Sequence, residues 1–217
     1  GSIHGYEALL TWHHPSRGDI ASEVFLPVAE KVGLIHEIGA WMLQEACATA
    51  ASWDATLRVS VNVSPYQLEF GNLPQTVAHA LEMAGLPGER LELEMPETAL
   101  AGEEQHVAGI LTSLKDLGVR LALDHFGSGS SSIAHLRTFP FDRLKIDESF
   151  IASLGTDPRS VAIVSAILHL GQEMDLAITA EGVDGERQAV MLRQMGFSEF
   201  QARFPAGPGV PPGADHD

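Results

Sequence analysis

At 217 residues, with 45% hydrophobic and 19% charged residues, the chain has the length and composition of a globular protein with a large core. Its formal net charge of −16 repels nucleic-acid phosphates at long range, which excludes binding to a nucleic acid duplex. The single cysteine, Cys47, excludes a disulfide framework and indicates a reducing compartment. No run approaches the ~20 apolar residues of a membrane span. We therefore expect a cytoplasmic domain, either free or as the cytoplasmic part of a membrane-anchored protein.

Short apolar runs alternate with amphipathic segments along the chain, which predicts strands alternating with helices. The predicted strands are Ile3–Leu10, Leu57–Val63, Arg90–Met95, Val119–Leu123, Phe141–Ile146, Ala177–Ala180 and Ser198–Gln201. The predicted helices are Pro27–Val32, Leu34–Trp53, Leu73–Ala84, Gln105–Leu117, Pro158–Glu173 and Glu186–Met195. We expect the rest of Thr11–Gly33 to be mostly loop.

The alternation predicts an α/β fold of parallel strands with helical crossovers, either a barrel or a doubly wound sheet. Each predicted strand carries a polar residue at or near its end: Glu7, Asn62, Glu94, Asp124, Lys145, Glu181 and Gln201. These side chains converge on one site only if the sheet closes, so the pattern favours a TIM-like (β/α) barrel. Seven strands leave the barrel one strand short. We expect a single domain over residues 3–203 and a poorly ordered Pro/Gly-rich tail over residues 204–217.

Four of these polar residues are carboxylates, which cannot all stay ionised at one site without cations. Oxygen ligands suit Mg²⁺, Mn²⁺ or Ca²⁺, and four carboxylates are enough for two ions. Two ions suit in-line attack on a phosphodiester, with Lys145 stabilising the charge that develops. The residues alone therefore predict a divalent-metal hydrolase. They also leave open a barrel aldolase that uses Lys145 as a Schiff-base lysine.

A set of motifs, in order along nearly the whole chain, resembles the EAL-domain family of cyclic di-GMP phosphodiesterases. The motifs are Glu7-Ala8-Leu9, Phe25–Glu30, Gly33–Ile35, Val61–Ser64, Leu91–Glu94, Asp124–Gly127, Lys145–Asp147, Ser149-Phe150 and Glu181–Val183. The resemblance implies hydrolysis of cyclic di-GMP to linear pGpG in bacterial second-messenger signalling, with two Mg²⁺ or Mn²⁺ ions. It also implies a barrel in which one strand is antiparallel, and a first strand that is missing before Gly5.

The resemblance implies roles for individual residues as well. The implied metal ligands are Glu7, Asn62, Glu94, Asp124, His125 and Glu181. The implied catalytic residues are Lys145, which positions the attacking water, Gln201 near that water, Glu7, and Glu97, which braces the loop after Asp124. The implied substrate contacts are Leu10, Ser64 and Asp147. The loop Phe126–Ser132 is expected to serve metal binding and a homodimer contact, and the parent protein is expected to carry sensory or GGDEF domains.

Several positions depart from the family pattern. His125 stands where the family usually has a second aspartate, and Thr11 stands where an arginine usually contacts the ligand. Ala202-Arg203 replaces the usual Gly-Tyr, Pro96 and Asp184 replace a common threonine and glutamate, and the usual Arg-Pro-Leu ending is absent. The alternative to an active enzyme is therefore a degenerate EAL domain that binds cyclic di-GMP or a protein partner without cleaving.

Overall fold

The computed structural model of the chain describes residues 2–100, 103–127 and 133–202. Its contacts divide into two compact units, one within Gly1–Arg120 and one within Leu121–Val210. A single domain over residues 3–203 stays a prediction, and the predicted tail over residues 204–217 lies outside the described residues. In the described part of the chain, no helix is long and apolar enough to cross a membrane.

The first unit contains three parallel strands, a small hairpin and five α-helices. In chain order its elements are β1 (Gly5–Ala8), β2 (Trp12–His14), β3 (Gly18–Ile20), α1 (Ser22–Val32), α2 (Ile35–Ala51), β4 (Arg58–Asn62), α3 (Pro65–Phe70), α4 (Leu73–Ala84), β5 (Leu91–Pro96) and α5 (Glu104–Asp116). Two 3-10 helices, Gly88–Arg90 and Glu97–Leu100, flank β5. Strand β4 pairs in parallel with both β1 and β5, and β2 pairs with β3 as an antiparallel hairpin.

The core of the first unit lies around β5, whose first five residues are all buried. A strand that is buried on both faces is typical of parallel sheets covered by helices. Arg90, at the start of β5, donates to the backbone oxygens of Ala50, Asp54 and Leu57. These bonds satisfy carbonyls at and beyond the end of α2, where the helix itself provides no donors. They therefore hold α2 to the strands β4 and β5.

The second unit contains four parallel strands and four helices. In chain order they are β6 (Arg120–Phe126), α6 (Ile133–Thr138), β7 (Arg143–Ile146), α7 (Glu148–Ala152), α8 (Pro158–Glu173), β8 (Ala177–Val183), α9 (Gly185–Met195) and β9 (Glu199–Ala202). Strand β7 pairs with β6 and β8, and β8 pairs with β9, all in parallel. Leu121, Leu144 and Ile146 are fully buried, so the apolar interior of this unit surrounds its central strands.

All seven strands that the sequence predicts are present, each within a few residues of its predicted bounds. The described pairings among them are all parallel, so none of these seven strands is described as the antiparallel strand that the resemblance implies. The expectation of mostly loop over Thr11–Gly33 is wrong, because this segment forms the β2–β3 hairpin and the 11-residue helix α1. The predicted helix Pro27–Val32 is the second half of α1, and the prediction begins at Pro27 because proline usually starts or interrupts a helix. Helices α3, α6 and α7 are too short for periodicity to detect.

Candidate metal-binding site

The first unit holds one acidic group, formed by Glu7, Asn62 and Glu94 on three neighbouring strands. Asn62 is the last residue of β4 and is the register partner of Glu94 on β5. The Asn62 side-chain amide donates to Glu7 Oε1 across 2.6 Å. Glu94 is buried, with 2% of its surface exposed. Parallel pairing thus brings a buried carboxylate, an amide and a second carboxylate to the same ends of adjacent strands.

A β-bulge shapes the end of β6 in the second unit. Leu123 pairs with Leu144 and Phe126 pairs with Ile146, so Asp124 and His125 together lie opposite Lys145 alone. His125 has a positive φ of 54°, a left-handed conformation in which histidine is enriched among non-glycine residues. A bulge of this kind redirects side chains where a strand ends. It places Asp124 and His125 as neighbouring functional groups.

The end of β8 has a second bulge of the same form. Ala180 pairs with Phe200 and Val183 pairs with Ala202, so Glu181 and Gly182 lie opposite Gln201. Gly182 has a φ of 66°, which glycine adopts without the steric cost of a Cβ atom. The two bulges therefore carry three of the predicted metal ligands and face Lys145 and Gln201.

Lys145 joins the acidic side chains of the second unit. Its Nζ lies 2.7 Å from Glu181 Oε1 and 3.7 Å from Asp124 Oδ1. Both Lys145 and Asp124 are buried, and Lys145 is 2% exposed. Asp124 also accepts two bonds from His125, at Oδ1 from the backbone N–H and at Oδ2 from Nδ1, each 2.9 Å long. Buried charges are thus compensated by direct partners, as burial requires.

The pKa values reflect this crowding. Burial raises the pKa of Asp124, but the hydrogen bond from His125 and the charge of Lys145 outweigh it, so the pKa lies below its usual value. The hydrogen bond to Asp124 raises the pKa of His125 to about 9. Burial raises the pKa of Glu181 to about 7, although Lys145 opposes the rise. Without a cation, His125 is therefore charged at neutral pH, and Glu181 keeps its proton to a higher pH than an ordinary carboxyl group does.

Asp124, His125 and Glu181 each offer a ligand atom, and these atoms all lie within 4.8 Å of one another. Two carboxylates and an imidazole form a donor set suited to Mn²⁺ or a similar divalent ion, whereas Mg²⁺ prefers oxygen ligands alone. A metal would have to displace the proton of His125 and compete with Lys145. The chemistry of this cluster therefore fits a divalent cation, and the structure does not determine which ion or how many.

The other predicted site residues have mostly structural contacts in the described part of the chain. Asp147 caps α7 by accepting from the backbone N–H and hydroxyl of Ser149. The Ser64 hydroxyl accepts from the Tyr66 N–H at the start of α3 and donates to Glu30.

Leu10 and Glu97 complete the predicted set in the first unit. Leu10 is half-buried and follows β1, and Glu97 Oε2 is buried without a hydrogen-bond partner among the described residues. Of the predicted loop Phe126–Ser132, only Phe126 and Gly127 are described. The roles assigned to these residues stay predictions.

Sequence reasoning predicted ligands at these strand ends and missed the bulges that carry three of them. The signal was present, because Gly127 follows Asp124-His125 closely and Gly182 follows Glu181, and an isolated glycine in a strand pattern indicates a bulge. The structure brings the predicted metal ligands together as one group in each unit. Their convergence on a single site stays a prediction.

Comparison with known proteins adds evidence of relationship. A family model described as "EAL domain" matches residues 1–208. An "uncharacterized signaling protein" from Caulobacter vibrioides is 46% identical over 201 residues, which cover 93% of this chain and 25% of that protein. The "bifunctional diguanylate cyclase/cyclic di-GMP phosphodiesterase MucR" from Pseudomonas aeruginosa is 40% identical over 205 residues, 93% of this chain and 30% of that protein. The chain thus spans between a quarter and a third of the length of these relatives.

A solved structure, described as "PaMucR phosphodiesterase, c-di-GMP complex", has a similar fold. The TM-score is 0.88 at 40% sequence identity, and the match covers 93% of this chain and 83% of that one. The likeness therefore extends over the elements that carry both acidic groups.

Proposed function

The chain belongs to the EAL domain family, and we propose that it hydrolyses cyclic di-GMP to linear pGpG with two bound Mg²⁺ or Mn²⁺ ions. Family membership also confirms the fold class predicted from the sequence, an α/β TIM-like barrel of the EAL type. Relatives that carry the phosphodiesterase name are several times longer than this chain. We therefore assign the proposed reaction to this domain alone.

The observation that carries the proposal is the cluster around Lys145. Lys145 is buried and pairs with two acidic side chains, Glu181 and Asp124. Burying such charged groups costs free energy, and buried charged groups are concentrated at functional sites. A Schiff-base role would require Lys145 to be free and neutral, so the ion pairs argue against the aldolase hypothesis. The cluster instead suits a reaction in which negative charge develops nearby.

The two acidic groups are the proposed metal ligands, Glu7, Asn62 and Glu94 in the first unit and Asp124, His125 and Glu181 in the second. Divalent ions bound there would polarise the phosphodiester and lower the pKa of the attacking water. Glu181 holds the Lys145 ammonium group in place at 2.7 Å. Lys145 would therefore orient that water and stabilise the negative charge that develops on the phosphate oxygens. Gln201, opposite the Glu181-Gly182 bulge, would donate a hydrogen bond to the same water or accept one from it.

The direct test is pGpG formation from cyclic di-GMP, followed by chromatography with Mn²⁺, Mg²⁺, Ca²⁺ or a chelator. We expect turnover with Mn²⁺, weaker turnover with Mg²⁺, and none with Ca²⁺ or the chelator. Asp124→Asn should abolish turnover, while Asp175→Asn is the matched control, because Asp175 is exposed and asparagine tolerates its positive φ of 57°. Equal losses in both variants would refute a specific role for Asp124.

One observation favours a second function, binding of cyclic di-GMP without cleavage. His125 donates hydrogen bonds to both carboxylate oxygens of Asp124. A protonated imidazole in that position prevents Asp124 from coordinating a metal ion. A degenerate domain would bind cyclic di-GMP tightly in calorimetry and form no pGpG with any metal. Slow pGpG formation that requires Mn²⁺ would favour the enzyme.

The proposal extends to partners and context. The relatives' length supports a parent protein with further domains, for which we propose sensory or GGDEF domains and a cytoplasmic location. We also propose a homodimer contact through Phe126–Ser132, since this loop directly follows the ligands Asp124 and His125. Cross-linking of single cysteines placed in this loop, in a Cys47→Ala background, would test the dimer.

A further inference from the structure

The short helix α7 is fixed at both ends. Asp147 caps its start by accepting from the Ser149 N–H at 2.9 Å. Near its other end, the Gln188 amide of α9 donates to the Ile151 carbonyl at 3.2 Å, and the Ile151 side chain is fully buried. The helix also begins three residues after Lys145. It therefore forms a rigid platform directly connected to β7.

Phe150 of this platform lies against the end of β6. A Cβ atom added to Gly127 would lie 2.9 Å from Cε2 of Phe150 and 3.3 Å from Cζ. Real Cβ atoms do not come that close, so the ring occupies the place where any other residue at position 127 would have its side chain. Gly127 directly follows β6 and is two residues beyond His125. The ring thus limits where the bulged end of β6 can lie.

Glu148, two residues earlier on the same helix, lies against the second bulge. A Cβ atom added to Gly182 would lie 2.7 Å from the Cβ of Glu148. Gly182 is the second residue of the bulge that carries Glu181. One helix therefore touches both bulged strand ends, each through a glycine of positive φ, 95° at Gly127 and 66° at Gly182.

We propose that α7 sets the spacing of the Asp124, His125 and Glu181 ligands, and that Phe150 is a positioning residue in this role. The inference deepens the proposed function and rests on its metal-binding part. The Phe150 ring lies against Gly127. It acts through Gly127, which lies two residues after His125 and therefore constrains the backbone of the bulge.

Ligand spacing matters because a metal site requires its donor atoms at defined distances. Residues that orient ligands without binding the metal typically change metal affinity or activity 10–100-fold when mutated. A smaller side chain at position 150 would let Gly127 and the bulge move toward the vacated space. The three ligand atoms, now within 4.8 Å of one another, would then no longer be held at one spacing.

The test compares three variants of the whole chain by Mn²⁺ titration, with free Mn²⁺ measured by electron paramagnetic resonance, and by thermal unfolding. Phe150→Leu removes the ring and should weaken Mn²⁺ binding about tenfold. Phe150→Tyr keeps the ring beside Gly127 and should bind Mn²⁺ within about twofold of the unaltered chain. Phe197→Leu is the matched control, because Phe197 is 4% exposed and precedes β9 at the end away from Gln201.

A purely structural role for Phe150 would lower the melting temperature in Phe150→Leu and in Phe197→Leu while leaving both Mn²⁺ dissociation constants unchanged. That result would overturn the inference, as would failure of the unaltered chain to bind Mn²⁺. If the unaltered chain binds Mn²⁺ but forms no pGpG, the proposed reaction fails, and the titrations still decide the role of Phe150.

Discussion

The two acidic groups differ in the positive charge that they contain. Glu7, Asn62 and Glu94 in the first unit include two carboxylates and no basic side chain. The group in the second unit has Lys145 at 2.7 Å from Glu181 and His125 at 2.9 Å from Asp124. The second group therefore contains two basic side chains of its own, whereas the three residues Glu7, Asn62 and Glu94 supply none. A metal at the second group competes with charges of the protein itself.

The largest expected effect comes from removing the buried cation of the second group. Lys145→Met should lower kcat for pGpG formation by about 10²–10³-fold, the usual cost of removing one group that stabilises developing charge. Lys31→Met is the matched control, because Lys31 is exposed on α1, and it should leave kcat unchanged. Similar kcat values in the two variants would mean that Lys145 only balances charge.

His125→Asp should make the second group resemble the first, with more acidic oxygen and less internal positive charge. We expect Mg²⁺-dependent turnover to rise about tenfold, because the substitution adds an oxygen ligand and removes a competing proton. Aspartate tolerates the positive φ at this position. His125→Asn is the matched control, since it has the same backbone tolerance without the charge. No difference between the two variants would mean that position 125 is not a ligand.

The difference between the two groups was only partly predictable from the sequence. The grouping of Glu7, Asn62 and Glu94 could be predicted from parallel strand pairing alone, and the register does align Asn62 with Glu94. The second group depends on two bulges, and a bulge changes side-chain direction without changing the apolar pattern that predicts a strand. The pairing of His125 with Asp124 depends on a left-handed backbone, which a histidine in the sequence does not reveal.

Binding of Mn²⁺ should depend on pH through the second group. The pKa of Glu181 is raised to about 7 and that of His125 to about 9, and a metal ligand must lose its proton before it binds. Mn²⁺ affinity should therefore rise steeply between pH 6 and 7 and continue to rise toward pH 9, by up to about tenfold per pH unit for each proton released. In His125→Asn the rise should level off above pH ~7.5. If the affinity of the unaltered chain for Mn²⁺ does not change from pH 7 to 9, the metal does not displace the proton of His125.

The smallest expected effect concerns stability without metal. The pKa of His125 is higher in the folded chain, about 9, than its ordinary value of 6.5, so the folded state binds the proton more tightly. The resulting stabilisation is fully present below pH ~6.5 and is lost as pH rises through ~9. Because the side chain is 55% exposed, solvent screening reduces it to about 1 kcal/mol.

Urea unfolding at low salt with a chelator present would measure this effect. The unfolding free energy of the unaltered chain should exceed that of His125→Asn by about 1 kcal/mol at pH 6, and the two should converge by pH 10. High salt should shrink the difference at pH 6, since an exposed ion pair is screened. A difference that stays constant from pH 6 to pH 10 would show that His125 stabilises the bulge through packing, and the second group would then lack the internal charge compensation that distinguishes it from the first.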